Sequence, residues 1–255
     1  MPLTIAMTGK GGVGKTTLSA LTIDWLVRRN LAPVLAVDAD SNANLHEALG
    51  VSYRATVGGI REAARREAAA LQGISKQEYL DLRIQDALVE EHGYDLIVMG
   101  RPEGQGCYCF ANNVLREVLD KLARNYRHIV IDSEAGLEHI SRRTLLSVDW
   151  LLIVSDCTVR GIRTAARISA LADEVKLPTG ARGLIVNSAP EGVLPEAVRR
   201  EAESAGIPLL AVIPRDPQVT AGDAEGLPAA RLAPDAAARM ALEPLLERIF
   251  TQGKS

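Results

Sequence analysis

Cysteine is scarce in this sequence: three residues in 255, an odd number that argues against a disulfide framework and leaves metal binding or buried thiols as uses for the sulfur. Excess positive charge is missing as well. The 29 Lys and Arg against 32 Asp and Glu give a formal charge of −3, which argues against tight non-specific DNA binding. No apolar run approaches the roughly 20 residues of a membrane-spanning helix. Residues 1–8 carry no basic n-region before the chain enters a glycine-rich loop, so a cytoplasmic protein without stable membrane association is expected. No repeat or flexible linker divides the chain, and its length suits one large α/β domain over residues 1–255.

What is present centres on Gly9-Lys10-Gly11-Gly12-Val13-Gly14-Lys15-Thr16-Thr17, which fits G-x-x-x-x-G-K-[ST] with Gly9, Gly14, Lys15 and Thr16 in the required places. The glycines let successive N–H groups point into one concavity suited to a polyphosphate. Leu3 to Met7 reads as a strand before the loop, and Thr16 to Arg29 as a helix after it, with Leu18, Leu21, Ile23, Leu26 and Val27 on an apolar pattern. That order turns the positive end of the helix dipole toward the phosphates, lets Lys15 reach the β- and γ-phosphates of ATP or ADP, and puts the Thr16 hydroxyl where it can ligate Mg²⁺.

Lys10, a second lysine near the start of the loop, makes GKGGVGKT resemble the deviant phosphate loop of the MinD, ParA, ArsA and nitrogenase iron-protein ATPases. The resemblance implies a nucleotide-dependent homodimer in which Lys10 reaches the partner's nucleotide and stabilises charge on the leaving phosphates. Further on, Ala32 to Val37 reads as a buried parallel strand ending at Asp38-Ala39-Asp40, where acidic side chains face the ligand crevice of an open α/β sheet. In the resembling ATPases this segment is switch I, which implies that Asp40 orients the attacking water and Asp38 positions its surroundings. A helix N-cap is the competing explanation for either aspartate. Residues 51–91 read as helices around Ile60 to Leu71 and Lys76 to Glu90, without a catalytic signature.

A third strand, Tyr94 to Met99, leads into Gly100-Arg101-Pro102-Glu103-Gly104-Gln105-Gly106-Cys107-Tyr108-Cys109. In extended backbone Cys107 and Cys109 face the same way, and two thiolates are half of a four-coordinate soft site that a two-fold partner could complete. Two buried structural cysteines are the alternative. With Asn112-Asn113 following, the loop resembles that of CooC-type ATPases, which mature nickel carbon monoxide dehydrogenase and acetyl-CoA synthase. That likeness runs from the first residues to about residue 216 and implies Ni²⁺ or Zn²⁺ held between two subunits, with a nickel enzyme as client. Four thiolates suit either metal, so ligand identity does not choose between them.

After a helix from about Asn113 to Asn125 come His128 to Ile131 and then Asp132-Ser133-Glu134-Ala135-Gly136, which is switch II by resemblance. Asp132 would hold a Mg²⁺-bound water and Gly136 would place its N–H near the γ-phosphate. Glu134, Glu138 and His139 also match the family pattern, and His139 is left out of the metal site. A strand from Trp150 to Val154 ends near Cys157, a thiol with no metal role. Strands from Ala181 to Val186 and Pro208 to Ile213 end at Asn187 and at Pro214-Arg215-Asp216. In the superfamily such an asparagine and proline loop close around adenine, and a side-chain amide can both donate to and accept from a base edge. Turn formation would explain Pro214 and Asp216 equally well.

The expected fold is a doubly wound, mainly parallel sheet with helices on both faces. The expected function is an ATP-hydrolysing metallochaperone. Two rivals are a MinD- or ParA-like positioning ATPase, for which Leu242, Leu245, Leu246, Ile249 and Phe250 could form an amphipathic tail, and an electron-donating iron protein with an Fe–S cluster on the thiolates. No cysteine follows Asp132 as closely as the iron-protein pattern requires.

Overall fold

Eight strands, most of them built on short runs of Val, Ile, Leu and Ala, form a single sheet in a computed structural model that describes residues 1–67, 83–100, 119, 121–133 and 147–251. The strands are β1 (Leu3–Gly9), β2 (Val34–Ala39), β3 (Leu88–Glu91), β4 (Tyr94–Val98), β5 (His128–Ser133), β6 (Val148–Asp156), β7 (Thr179–Ala189) and β8 (Leu209–Pro214). Their order is β3-β4-β2-β5-β1-β6-β7-β8, and every neighbouring pair is parallel except β3 and β4. The chain lays strands first to one side of β1 and later to the other. The carboxyl end of β1 is therefore the switch point at which open α/β sheets bind ligands, and the glycine loop leaves the sheet there.

Because strand side chains alternate, each strand contributes to two cores. Ile5 and Met7 of β1, Val34 and Ala36 of β2 and Val130 of β5 pack with helix α1 (Lys15–Arg28), short α2 (Leu45–Leu49) and the late helix α7 (Ala237–Thr251). Ala6, Leu35, Val37, Ile129 and Ile131 face the opposite layer, which includes α3 (Val57–Glu67), α4 (Val159–Glu174) and α5 (Glu196–Ser204). A further helix, α6 (Pro217–Glu225), follows β8. The described elements thus have the expected doubly wound, mainly parallel arrangement.

Two expectations need correction or limits. The helix expected from Lys76 to Glu90 is helical at residues 83–87, but Leu88–Glu91 is the antiparallel edge strand β3. There Leu88 pairs with Ile97 and Glu91 with Tyr94 across a turn at Gly93, whose φ of 86° suits glycine. Cross-strand pairing overrides the helix preference of two glutamates. The helix expected around Ile60 begins at Val57 and is described to Glu67, and residues 68–82 lie outside the described chain.

Leu242, Leu245, Leu246, Ile249 and Phe250 are all buried against α1 and the sheet, and Phe250 meets the Trp25 ring at 5.8 Å. Burying five such side chains stabilises α7 on the protein by roughly 10 kcal/mol gross. The apolar face on which a membrane-binding tail depends is therefore already occupied. Arg239 of α7, 4% exposed, pairs with Asp24 of α1 and donates to the Ala230 and Leu232 carbonyls. Among the described residues no helix is long and apolar enough to cross a membrane.

Candidate nucleotide site

The glycine loop is held from below and from the side. At Gly9 a side-chain carbon would lie 2.2 Å from the Val154 carbonyl oxygen, so only glycine lets β1 run this close to β6 as the loop begins. Gly14, with φ 90°, opens α1 in the left-handed conformation and offers no side-chain cap. The first turn of α1, Lys15 to Thr17, thus presents backbone N–H groups without intrahelical acceptors to whatever the loop encloses. Lys15 is only 7% exposed and its Nζ donates to the Lys10 carbonyl at 3.1 Å, which folds its side chain over the loop. Lys10, Gly11 and Gly12 are exposed and Val13 is buried.

The loop is also tied to β7. Asn187 Nδ2 donates to the Val13 carbonyl at 2.8 Å, and a side-chain carbon on Gly14 would sit 2.3 Å from that nitrogen. Since a carbonyl can only accept, Val13 fixes which end of the Asn187 amide faces the loop and leaves Oδ1 pointing away. Arg215 is exposed, and its backbone N–H donates to the Ala189 carbonyl at 2.8 Å, joining the Pro214–Asp216 turn to the end of β7. Asp216 is 5% exposed and both carboxylate oxygens are used on helix starts: Oδ1 accepts from Gln218 N at 2.8 Å and Oδ2 from Ala238 N at 2.9 Å. Its side chain does the capping work of a turn residue for both α6 and α7.

On the other side of the loop, Asp38 and Asp132 are register partners at the carboxyl ends of β2 and β5, both buried. Asp132 accepts from Thr16 Oγ1 at 2.7 Å and from Ser19 Oγ at 3.3 Å. Asp38 accepts from the backbone N–H of Asp40 at 3.1 Å and of Leu45 at 2.9 Å. It therefore also satisfies the first N–H of α2, so the capping reading holds in part. Asp40, half-buried, is oriented within its own turn: its Oδ1 accepts from Asn42 N at 2.8 Å and Asn42 Nδ2 at 3.0 Å. Burial pushes the Asp38 carboxyl up to about 7, helped by the charges of Asp132 and Asp40 and opposed by the two N–H donors. Asp132 is raised to about 6 by burial, against the pull of the Thr16 and Ser19 hydroxyls and the Lys15 charge.

Lys10, Lys15, Thr16, Asp38, Asp40, Asp132 and Asn187 are thus gathered on the rim around the loop. Ser19 was not among the residues expected; a hydroxyl on the buried face of α1, three residues beyond Thr16, was the available signal. Cys107, Cys109, Gly136, Glu134, Glu138 and His139 lie outside the described residues. Among the described residues no group of three or more His, Cys, Asp and Glu is arranged to hold a metal ion. Cys157 is half-buried against the α4 side of the sheet, and burial followed by the Asp156 charge raises its thiol.

Comparison with known proteins follows the same lines. Residues 3–179 match the AAA domain family. An uncharacterised ATP-binding protein of Methanocaldococcus jannaschii is 40% identical over 252 residues, 97% of this chain and 98% of the relative. The carbon monoxide dehydrogenase accessory protein CooC of Rhodospirillum rubrum is 33% identical over 266 residues, covering 98% and 99%. Among solved structures, the septum site-determining protein MinD of Pyrococcus horikoshii, complexed with Mg-ADP, superposes with a TM-score of 0.71 at 25% identity over 100% of this chain and 98% of its own.

Proposed function

This chain belongs to the AAA-domain family of P-loop ATPases with the MinD/ParA-like fold, and from that premise we propose that it is a CooC-type metallochaperone, which couples ATP hydrolysis to delivery of nickel into an enzyme. The observation that carries the metal half of this reading is Cys107-Tyr108-Cys109, placed in sequence just beyond β4 in a chain 33% identical to a carbon monoxide dehydrogenase accessory protein. Carbon monoxide dehydrogenase and acetyl-CoA synthase are the client enzymes this implies.

For the nucleotide half, the residues present fit ATP with Mg²⁺. The open first turn of α1 and the folded-over Lys15 supply positive potential for a polyphosphate, and the Thr16 hydroxyl beside the Asp132 carboxylate offers oxygen donors to a hard cation. A Mg²⁺ ion held by these oxygens would neutralise charge on the phosphate oxygens. In this reading Gly9 to Thr17 cradle the phosphates, Gly136 adds an N–H, and Asn187 offers Oδ1 to the adenine amino group while Pro214 and Arg215 close the base pocket. Asp216 serves that pocket by fixing the turn. Asp40 orients the attacking water, Asp38 holds the segment that carries it, and Lys10 stabilises the partner's leaving phosphates in a nucleotide-closed homodimer.

The loop of one chain supplies only Cys107 and Cys109, so a four-thiolate site requires two chains and one metal ion per dimer. ATP and metal then favour the same closed state, and each tightens the other's binding by the same factor. The test is Ni²⁺ or Zn²⁺ titration with mass determination in solution, with and without nucleotide. One ion per dimer, lost in Cys107→Ser and Cys109→Ser with ATP binding nearly unchanged, is the expected result. One tightly held ion per monomer, or retention after both cysteines are replaced, would show the shared thiolate site to be wrong.

A further inference from the structure

We infer that Ser19 is a positioning residue for the cation side of the nucleotide site, holding one carboxylate oxygen of Asp132 so that the other stays on the Thr16 hydroxyl. Serine inside a helix ordinarily turns its hydroxyl back to a carbonyl one turn earlier, at some cost to the helix. Thr22, one turn further along α1, does this, donating to the Leu18 carbonyl at 2.8 Å. Ser19 instead donates across the layer to Asp132 Oδ1 at 3.3 Å, while Thr16 donates to Oδ2 at 2.7 Å.

Positions 16 and 19 are i and i+3 on one helix face, so the two hydroxyls stand one above the other and bracket the carboxylate from a single rigid element. Ser19 is fully buried, and its hydroxyl is directed at Asp132, the group through which it meets the rim of the site. Without its donor, Asp132 can rotate about its last torsion, which is soft for an sp³–sp² bond, and Oδ2 is no longer fixed relative to Thr16. Ser19 therefore acts on the cation through Asp132, and not on the phosphates.

The inference rests on the reading that Thr16 and Asp132 serve Mg²⁺, and the experiment separates the two. ADP binding to the full chain is measured by calorimetry in EDTA and again in saturating Mg²⁺, with no turnover involved. For Ser19→Ala the affinity in EDTA stays at the parent value, whereas the gain on adding Mg²⁺ falls about tenfold, as for one lost hydrogen bond to a charged acceptor. Ser19→Thr, which keeps the hydroxyl, retains the gain. An unchanged Mg²⁺ gain in Ser19→Ala, or equal weakening with and without Mg²⁺, overturns the inference. Asp132→Asn is the control: if it too leaves the Mg²⁺ gain intact, the cation reading itself fails, and if it alone removes the gain, only the role of Ser19 does.

Discussion

Two aspartates at the same level of the sheet show how differently one residue type is used on the two sides of a strand pair. Asp38 and Asp132 end adjacent parallel strands, face each other in register, and are both raised by burial. Asp38 is held by backbone N–H groups of its own chain segment, Asp40 and Leu45, so it shapes the turn that follows β2. Asp132 is held by two side-chain hydroxyls of α1, so it ties β5 to the helix that opens at the phosphate loop. A backbone-held carboxylate governs where a neighbouring residue sits, whereas a hydroxyl-held one locks its strand to the helix that carries those hydroxyls. Similar strand endings therefore predict different losses.

The largest loss is expected on the Asp132 side of the rim. Lys15→Ala removes the charge folded over the loop and should weaken ATP binding on the order of a hundredfold or more, read by equilibrium nucleotide titration. If Lys15→Ala binds ATP like the parent, the loop is not the phosphate site. Lys10→Ala should bind ATP nearly as the parent does while losing hydrolysis and closure of the dimer, and normal turnover there would remove the in-trans role. On the Asp38 side, Asp38→Asn faces one of two N–H donors with a second donor and so releases the turn. Hydrolysis should fall by about a hundredfold through misplacement of Asp40, with MgADP affinity changed only a few-fold. Were Asp38→Asn to lose Mg²⁺-dependent affinity as Asp132→Asn does, the two aspartates would be equivalent and the contrast would collapse.

The smallest effect concerns stability without nucleotide. Asp38 and Asp132 are raised in the folded state from 3.8 to about 7 and about 6. The folded protein therefore holds more protons than the unfolded chain between about pH 4 and 7, and stability falls across that window as pH rises. The stability these two groups contribute is fully present below their unfolded values and gone above about 7. The thermal midpoint of the apo protein should drop between pH 5 and 7.5, and the drop should be smaller in Asp38→Asn. An equal drop in parent and variant would mean that Asp38 does not titrate in this range.

Much of the frame was legible because it is written in short-range pattern. The apolar runs behind β1, β2, β4 to β8, the helical spacing of α1 and the glycine loop all follow from steric and periodic rules that act within about twenty residues. The antiparallel β3 was missed because Leu88 to Glu91 has no strand-like composition and is a strand only by pairing with β4. Ser19 was missed for a related reason, since a serine among apolar helix positions has no meaning until β5 brings Asp132 over it. Asp216 lay open between base contact and turn former, and only the arrival of both α6 and α7 at its carboxylate placed its two oxygens on helix starts.

By itself the sequence determined that a polyphosphate-binding loop joins a strand to a helix, that further strands end near Asp38, Asp132 and Asn187, and that the apolar spacing of residues 242–250 is amphipathic. Whether that amphipathic face met a membrane or the protein was decided in three dimensions, where α1 and β8 leave a groove that α7 fills. So was the division of labour between the two aspartates. Composition and spacing act along the chain, but a hydrogen bond depends on donors within about 3 Å of an acceptor, and the donors to Asp132 lie more than a hundred residues away in sequence. Only the order of the strands brings them together.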